Sequence, residues 1–247
     1  MKKYFYFIFI SVSFLISCKN EKDISTFYFP VKKLEQGKVY EYRFLNKPEV
    51  DPQYWYYQTL RADPKAGEKK GSFFTGTLYD AAYRIRQIVS EEAVSNGMML
   101  NDIYLYMYDS NEVSTRIQPS ILSPSVYPFE VEDTSHIYLY KIKFAYPNDT
   151  THTTTLIKNR RFVGKTTYNY KGKSYKCVEF EVREAFDDDN NGRIHQEYKT
   201  KELYAEGIGL IYYKKTIGTD VLEYGLKDIY EMSELEKNFS KTEVPQK

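Results

Sequence analysis

Apolar and polar residues alternate with a period of two along many segments of this chain. In the run 174–186, Val178, Phe180 and Val182 share one face, while the residues between them are mostly polar or charged. Segments 39–44 and 54–60 are of the same type and are rich in Tyr. A period of two is typical of β-strands that bury one face, so the pattern predicts a succession of strands.

The segments between these strands carry the residues that make turns. Asn-Lys-Pro at 46–48, Pro-Asn-Asp at 147–149 and Lys-Gly-Lys at 171–173 each separate two alternating runs. Connections this short join antiparallel neighbours and leave little room for crossover helices. The sequence therefore predicts a mainly β fold, an antiparallel meander that forms a curved sheet or a partly open barrel.

Residues 80–95 fit two patterns. Several apolar residues lie near helical spacing, and Asp80 is placed to cap a helix. Tyr83, Ile85 and Gln87 also alternate, and Asn-Gly at 96–97 is typical of a hairpin turn. A hairpin is the leading prediction, and one helix near 80–95 is the alternative.

The start of the chain departs from the β pattern. Lys2 and Lys3 precede an uncharged apolar run at 4–15, and a small residue comes just before Cys18. The run is about a dozen residues long, whereas a helix that crosses the hydrocarbon core needs about 20. These features predict a signal peptide over residues 1–17 rather than a membrane span.

Leu-Ile-Ser-Cys at 15–18 resembles the lipobox of bacterial lipoproteins. The resemblance implies that the chain is cut before Cys18 and that this residue is acylated on its thiol, and often on its amino group. Two or three acyl chains make a stable membrane anchor where one would be marginal. With no linker in the middle of the chain and an aperiodic charged end, the predicted organisation is a signal peptide at 1–17, a lipidated tether at 18–26, one β-rich domain at 27–234 and a flexible tail at 235–247.

The Tyr-, Lys- and Asn-rich composition, the Phe-rich signal peptide and the short Ser-Cys-Lys start resemble uncharacterised envelope lipoproteins of the Bacteroidota. Lys19 after the cysteine, by resemblance to the enteric sorting rule, implies the outer membrane. Glu21 and Asp23 match a surface-export signal only loosely, so the periplasmic and surface faces both stay open. The resemblance implies no specific function.

Composition argues against nucleic-acid binding and against a disulfide-rich fold. The net charge of +1 becomes −1 when Lys2 and Lys3 are removed with the signal peptide, so the chain has no electrostatic footprint for nucleic acid. Cys177 has no partner once Cys18 is lipidated, which excludes a disulfide framework. The 26 Tyr and 15 Phe residues raise the expectation of sheet.

One acidic segment has the spacing of a metal loop. Counted from Asp187, oxygen donors fall at the first, third and fifth positions and glycine at the sixth, as in an EF-hand loop. The twelfth position is Tyr198, with a glutamate one place early. The candidate calcium site comprises Asp187, Asp189, Asn191, Arg193 and Glu197. The alternative is a hairpin tip with solvated aspartates and a turn at Asn-Gly 191–192.

An aromatic run offers a second candidate site. Tyr54, Trp55, Tyr56 and Tyr57 could stack on sugars, or they could be a strand with aromatic residues on both faces. His136, His152 and His195 have no metal-ligand spacing, and the Gly-x-Gly at 207–209 lacks the third glycine of a dinucleotide motif.

These observations favour a non-enzymatic, lipid-anchored envelope protein whose curved sheet binds an apolar or protein ligand. A glycan-binding surface lipoprotein that uses the aromatic run is the alternative. An enzyme ranks third, because no nucleophile, base and orienting group can be assembled from the sequence. The expected partners are the membrane and an envelope protein, lipid or glycan, and no cofactor is expected apart from calcium.

Overall fold

The computed structural model of the protein describes residues 22–61 and 72–242. Thirteen β-strands account for most of this part of the chain. They are β1 Lys38–Phe44, β2 Gln53–Arg61, β3 Ser72–Tyr79, β4 Ile85–Val94, β5 Gly97–Tyr108, β6 Ser114–Ile117, β7 Ser120–Pro128, β8 Ile137–Tyr146, β9 Asp149–Tyr170, β10 Lys173–Asp189, β11 Arg193–Ala205, β12 Gly209–Ile217 and β13 Asp220–Tyr230. Two short 3-10 helices, Ser25–Phe27 and Val31–Lys33, precede β1, and one α-helix, α1 (Met232–Thr242), follows β13.

The strands form a closed antiparallel barrel. Each strand from β1 to β5 pairs with the next one, and so does each strand from β7 to β13. The ring is completed by the pairing of β5 with β7 and of β1 with β13. Twelve strands complete the ring, and β6 pairs with β5 outside it. The predicted mainly β antiparallel meander is confirmed, and the barrel is closed rather than partly open.

The ring closes at a short seam between β5 and β7. Only the first residues of β5 pair with β7, with Met98 opposite Tyr127 and Gly97 opposite Pro128. A Cβ atom on Gly97 would lie 2.5 Å from the Tyr127 carbonyl oxygen. Glycine is needed at this position because the two backbones approach too closely for any side chain.

Residues 80–95 form a turn and a strand, so the hairpin prediction is confirmed and the helix alternative is wrong. The Asp80 carboxylate accepts hydrogen bonds from the backbone N–H groups of Ala82 and Arg84, at 3.0 and 2.9 Å. These bonds hold a tight turn that leads into β4. The turn between β4 and β5 lies at 95–96, one residue earlier than predicted.

An N-terminal segment, residues 24–34, fills one end of the barrel. Ile24, Phe27, Tyr28, Phe29 and Leu34 are all buried, and the backbone N–H of Ile24 donates to the Phe129 carbonyl oxygen at 2.8 Å. The predicted tether at 18–26 is therefore docked on the barrel over its described residues, because Lys22 and Asp23 pair with residues 130–131 and the apolar residues that follow join the core. The predicted signal peptide and Cys18 lie outside the described residues.

Helix α1 occupies the start of the segment that was predicted to be a flexible tail. Leu235 is buried where α1 lies against β1, and the Phe239 ring contacts Tyr54 and Tyr83 at centroid distances of 5.7 and 4.5 Å. Two apolar residues four positions apart give the helix one packed face. The sequence did not predict this helix because most residues of the segment are charged. Residues 243–247 lie outside the described part. No helix in that part is long and apolar enough to cross a membrane.

Candidate functional site

The barrel interior divides into a packed end and an empty region. At the packed end, the N-terminal segment meets inward-facing aromatic residues, and the Phe29 ring lies 4.3 Å from Tyr57 and 5.5 Å from both Tyr40 and Phe74 between centroids. Val178, Phe180 and Val182, which the sequence placed on one face, point into the barrel and are fully buried. This end of the barrel is a conventional apolar core.

Beyond this core lies a cavity of about 680 Å³. Barrels of about eight strands are filled by their own side chains, whereas those of 16–18 strands leave an aqueous channel. A ring of twelve strands lies between these limits, and the N-terminal segment fills only one end of it. The volume is within the range of about 300–1,000 Å³ that is typical of small-molecule sites.

One wall of the cavity is mainly apolar. It is formed by strands β4, β5, β7, β8 and the nearest part of β9, whose inward residues include Val89, Leu100, Ile103, Leu105, Val126, Ile142 and Leu156. Trp55 and Tyr57 on β2 continue this surface, with their rings stacked at 5.6 Å and an interplanar angle of 4°. This wall can hold an apolar group without leaving polar atoms unpaired.

The opposite wall, on β9 to β12, carries charges. Lys158 Nζ lies 3.2 Å from Glu184 Oε1, and Lys215 Nζ lies 2.7 Å from Glu184 Oε2. The Tyr213 hydroxyl donates to the same carboxylate at 3.3 Å. Burial alone would raise the pKa of Glu184, but the two lysines lower this pKa to about 2. Glu184 is therefore an anion that holds both lysines beside the lumen.

A second ion pair lies closer to the packed end. The Arg160 guanidinium donates to both oxygens of Glu202, at 2.9 and 3.3 Å, and also to the Val126 carbonyl oxygen. The Tyr204 hydroxyl donates to Glu202 at 3.2 Å. Both charged side chains are about 95% buried, so their pairing and hydrogen bonds are needed to offset desolvation.

Glu91 is the remaining carboxyl group of the cavity. It lies on β4, is 8% exposed, and accepts a hydrogen bond from the Tyr28 hydroxyl of the N-terminal segment. Burial raises the pKa of Glu91 to about 7, although the Tyr28 hydrogen bond and the Arg160 charge act in the opposite direction. Glu91 is therefore largely protonated below neutral pH.

The predicted aromatic run does not form one platform. Trp55 and Tyr57 face the lumen, whereas Tyr54 and Tyr56 lie on the outer face of β2. The Tyr54 ring packs against Phe239 of α1. The two-residue period of a strand divides the four rings between opposite sides of the barrel wall.

The acidic segment is the tip of the β10–β11 hairpin, with its turn at 190–192. The Asp187 carboxylate accepts hydrogen bonds from Arg193 at 2.8 Å and from His195 at 2.6 Å. Within the described ranges, no three His, Cys, Asp or Glu side chains are grouped to hold a metal ion. Of the predicted ligands, Asp187 contacts Arg193, whose guanidinium would repel calcium, and among the described residues no grouping that could hold a metal ion includes Asp187, Asp189 or Glu197. Asn191 lies in the turn, so the geometry favours the hairpin tip over calcium binding.

Cys177 is a free, fully buried thiol on β10. Burial raises its pKa to about 11, which keeps it protonated and unreactive. Cys177 therefore serves as a structural residue of the core.

Sequence reasoning missed the charged residues of the lumen: Glu91, Lys158, Arg160, Glu184, Glu202 and Lys215. The signal that could have found them is the strand period. Counting in twos from Val182 puts Glu184 on the face that Val178 and Phe180 bury. A charge at an inward position requires an ion pair or a polar cavity.

No protein-family model matches this chain, and no curated protein sequence matches it. Two solved structures are similar. A predicted exported protein with a YmcC-like fold from Bacteroides fragilis shares 12% identity and a TM-score of 0.57, covering 83% of this chain and 99% of that chain. A predicted lipoprotein from Parabacteroides distasonis shares 11% identity and a TM-score of 0.50, covering 83% of this chain and 97% of that one. At such identities the likeness shows a shared fold.

Proposed function

We propose that this chain is a lipid-anchored protein of the cell envelope that encloses an apolar ligand in its barrel and catalyses no reaction on it. The observation that carries the proposal is the cavity of about 680 Å³ with its mainly apolar wall. A ligand group that packs against this wall removes apolar surface from water, which is favourable. Each buried methylene group of a ligand contributes about 0.8 kcal/mol to binding.

The N-terminal segment supports a specific orientation at the membrane. The chain leaves the barrel at residues 22–23, at the end that this segment fills. Only a few residues separate this point from Cys18, so an acyl anchor on Cys18 would hold the filled end near the bilayer. The half-buried lining residues at the far end, such as Phe144 and Leu222, would then face away from the membrane.

The envelope location is supported by the lipobox and by the two similar structures, which are themselves a predicted exported protein and a predicted lipoprotein. Cell fractionation tests it. Wild type should be found in the outer membrane fraction, whereas Cys18→Ala should not be acylated and should leave it. Retention of Cys18→Ala in that fraction would contradict the anchor.

A neutral apolar probe tests the cavity. N-phenyl-1-naphthylamine, which becomes fluorescent in apolar surroundings, should bind the wild-type protein. Val89→Trp should weaken its binding at least about tenfold, because the indole would occupy the lumen beside Ile103. Ile88→Trp is the matched control, since Ile88 is the neighbouring outward residue of β4. Equal binding by all three proteins would refute a ligand site in the cavity.

The other two functions receive less support. A glycan platform would need the four rings of residues 54–57 on one exposed surface, and they are divided by the barrel wall. For an enzyme, the cavity lining would need a nucleophile with a base. The lining residues of the described chain include no Ser, Cys or His, and the charged lining residues Lys158, Arg160, Glu202 and Lys215 are held in ion pairs.

A further inference from the structure

The charged wall is built around a single carboxylate that serves two lysines. Glu184 is 3% exposed at its side chain, whereas Lys158 and Lys215 are 29% and 15% exposed. Each ammonium group has three N–H donors, and the contact with Glu184 uses one of them. Both lysines line the cavity, so donors that do not face Glu184 can reach a molecule inside it. Lys158 is the more exposed of the two, because the Lys215 ammonium also lies over the Tyr198 ring at 4.4 Å.

The charges inside the barrel do not balance when Glu91 is protonated. Lys158, Arg160 and Lys215 are then opposed by Glu184 and Glu202 alone. Arg160 is fully engaged by Glu202, so the unmatched positive charge lies at the lysine pair. A wholly apolar ligand would desolvate this charge without pairing it, which is unfavourable.

The two walls face each other across the lumen. In the order of the ring, β4 lies opposite β11, so the apolar residues Val89 and Ile103 face the row formed by Lys158, Glu184 and Lys215. The lumen thus has a mainly apolar wall on one side and, on the other, a lysine pair set among Phe186 and Ile217. An amphiphile with an apolar chain and an anionic head group satisfies both walls at once.

We propose that the ligand of this barrel is an amphiphile whose anionic head group, a carboxylate or a phosphate, binds the ammonium groups of Lys158 and Lys215 while its apolar chain packs against Val89, Ile103 and Ile142. This inference rests on the proposed function and specifies the chemistry of the ligand. Hydrogen bonds between charged partners are shorter and stronger than neutral ones, so the head group gives orientation as well as affinity.

Two matched probes test the head group. The first is 11-(dansylamino)undecanoic acid, and the second is its methyl ester, which has the same apolar part without the charge. The wild-type protein should bind the acid about tenfold or more tightly than the ester, as expected for charge-assisted hydrogen bonds. Dodecyl phosphate, laurate and inorganic phosphate serve as competitors. Displacement by either amphiphile but not by inorganic phosphate is expected, and the stronger one identifies the head group.

Substitutions locate the head group. Lys158→Met should weaken binding of the acid about 10- to 100-fold and leave the ester unaffected. Lys214→Met is the matched control, because Lys214 is on the outer face of β12 and pairs with Glu223. Glu184→Gln removes the competing carboxylate and should tighten binding of the acid, a gain that unfolding cannot produce. Melting temperatures of all variants verify folding.

The outcomes separate this inference from the proposed function. If acid and ester bind wild type equally and Lys158→Met and Glu184→Gln change neither, the anionic head group is refuted while the apolar cavity site stands. Displacement by inorganic phosphate as strong as that by laurate would also refute an amphiphile. If neither probe binds, or if Val89→Trp binds both as wild type does, the cavity site itself fails.

Discussion

Glu91 should make the barrel less stable as the pH rises through neutrality, and Glu91→Gln should abolish this dependence. Burial raises the Glu91 pKa from 4.5 to about 7, so the folded protein holds this proton more tightly than the unfolded chain does. The associated stability is fully present below about pH 4.5 and is lost as the pH rises to about 7. At 1.36 kcal/mol per pKa unit, the loss above pH 7 is about 3 kcal/mol.

The residues around Glu91 explain why no neighbour offsets the cost of burying its ionised carboxylate. Arg160 is the cation whose charge reaches Glu91, and it is already engaged by Glu202. The other titratable neighbours are tyrosines that stay neutral across this pH range: Tyr28, Tyr57, Tyr140 and Tyr204. A glutamine at position 91 keeps an acceptor for the Tyr28 hydroxyl and has no charge to desolvate.

Urea unfolding followed by fluorescence measures the effect. Near pH 8, Glu91→Gln should increase the free energy of unfolding by about 3 kcal/mol, and near pH 5 by about 1 kcal/mol or less. Glu92→Gln is the matched control, because the adjacent side chain is exposed on the outer face of β4. If the effect of Glu91→Gln were the same at both pH values, or absent near pH 8, a buried carboxyl group with a raised pKa would be refuted.

Three further substitutions probe the packing of the barrel. Arg160→Met should lower the free energy of unfolding by about 3–5 kcal/mol, because it leaves Glu202 charged and buried, and adding Glu202→Gln should restore most of the loss in urea unfolding. Gly97→Ala should destabilise the β5–β7 seam by about 1–3 kcal/mol, with faster amide exchange at Met98; unchanged exchange would show that the backbones can separate at no cost. Phe239→Ala should reduce the helical signal in far-ultraviolet circular dichroism by releasing α1, and a loss of the β signal as well would contradict a helix that is peripheral to the barrel.

The strands were predictable because each one is encoded by local sequence signals. Alternation in 174–186 and the Lys-Gly-Lys turn at 171–173 are local signals, and the structure has β9, β10 and their turn at these positions. Barrel closure was not predictable in the same way. It depends on the β5–β7 seam and on the pairing of β1 with β13, and a single sequence does not indicate which distant strands pair.

The candidate site was harder to predict for a different physical reason. The aromatic run at 54–57 and the acidic run at 187–189 attract attention because their residues are adjacent, yet adjacent residues of a strand point to opposite faces. The residues that do meet in the lumen are distant in the chain, such as Lys158, Glu184 and Lys215. Only the strand period combined with the closed ring brings them together.

The N-terminal segment links the predicted acylation site, Cys18, to the cavity of the barrel. Its buried residues close one end of the barrel, and Tyr28 contributes both to that core and to the hydrogen bond with Glu91 at the edge of the cavity. The same segment continues toward Cys18. The floor of the cavity and the proposed membrane tether are therefore one piece of chain, so an acyl anchor on Cys18 would hold the closed end toward the bilayer and leave the opposite end for entry of a ligand.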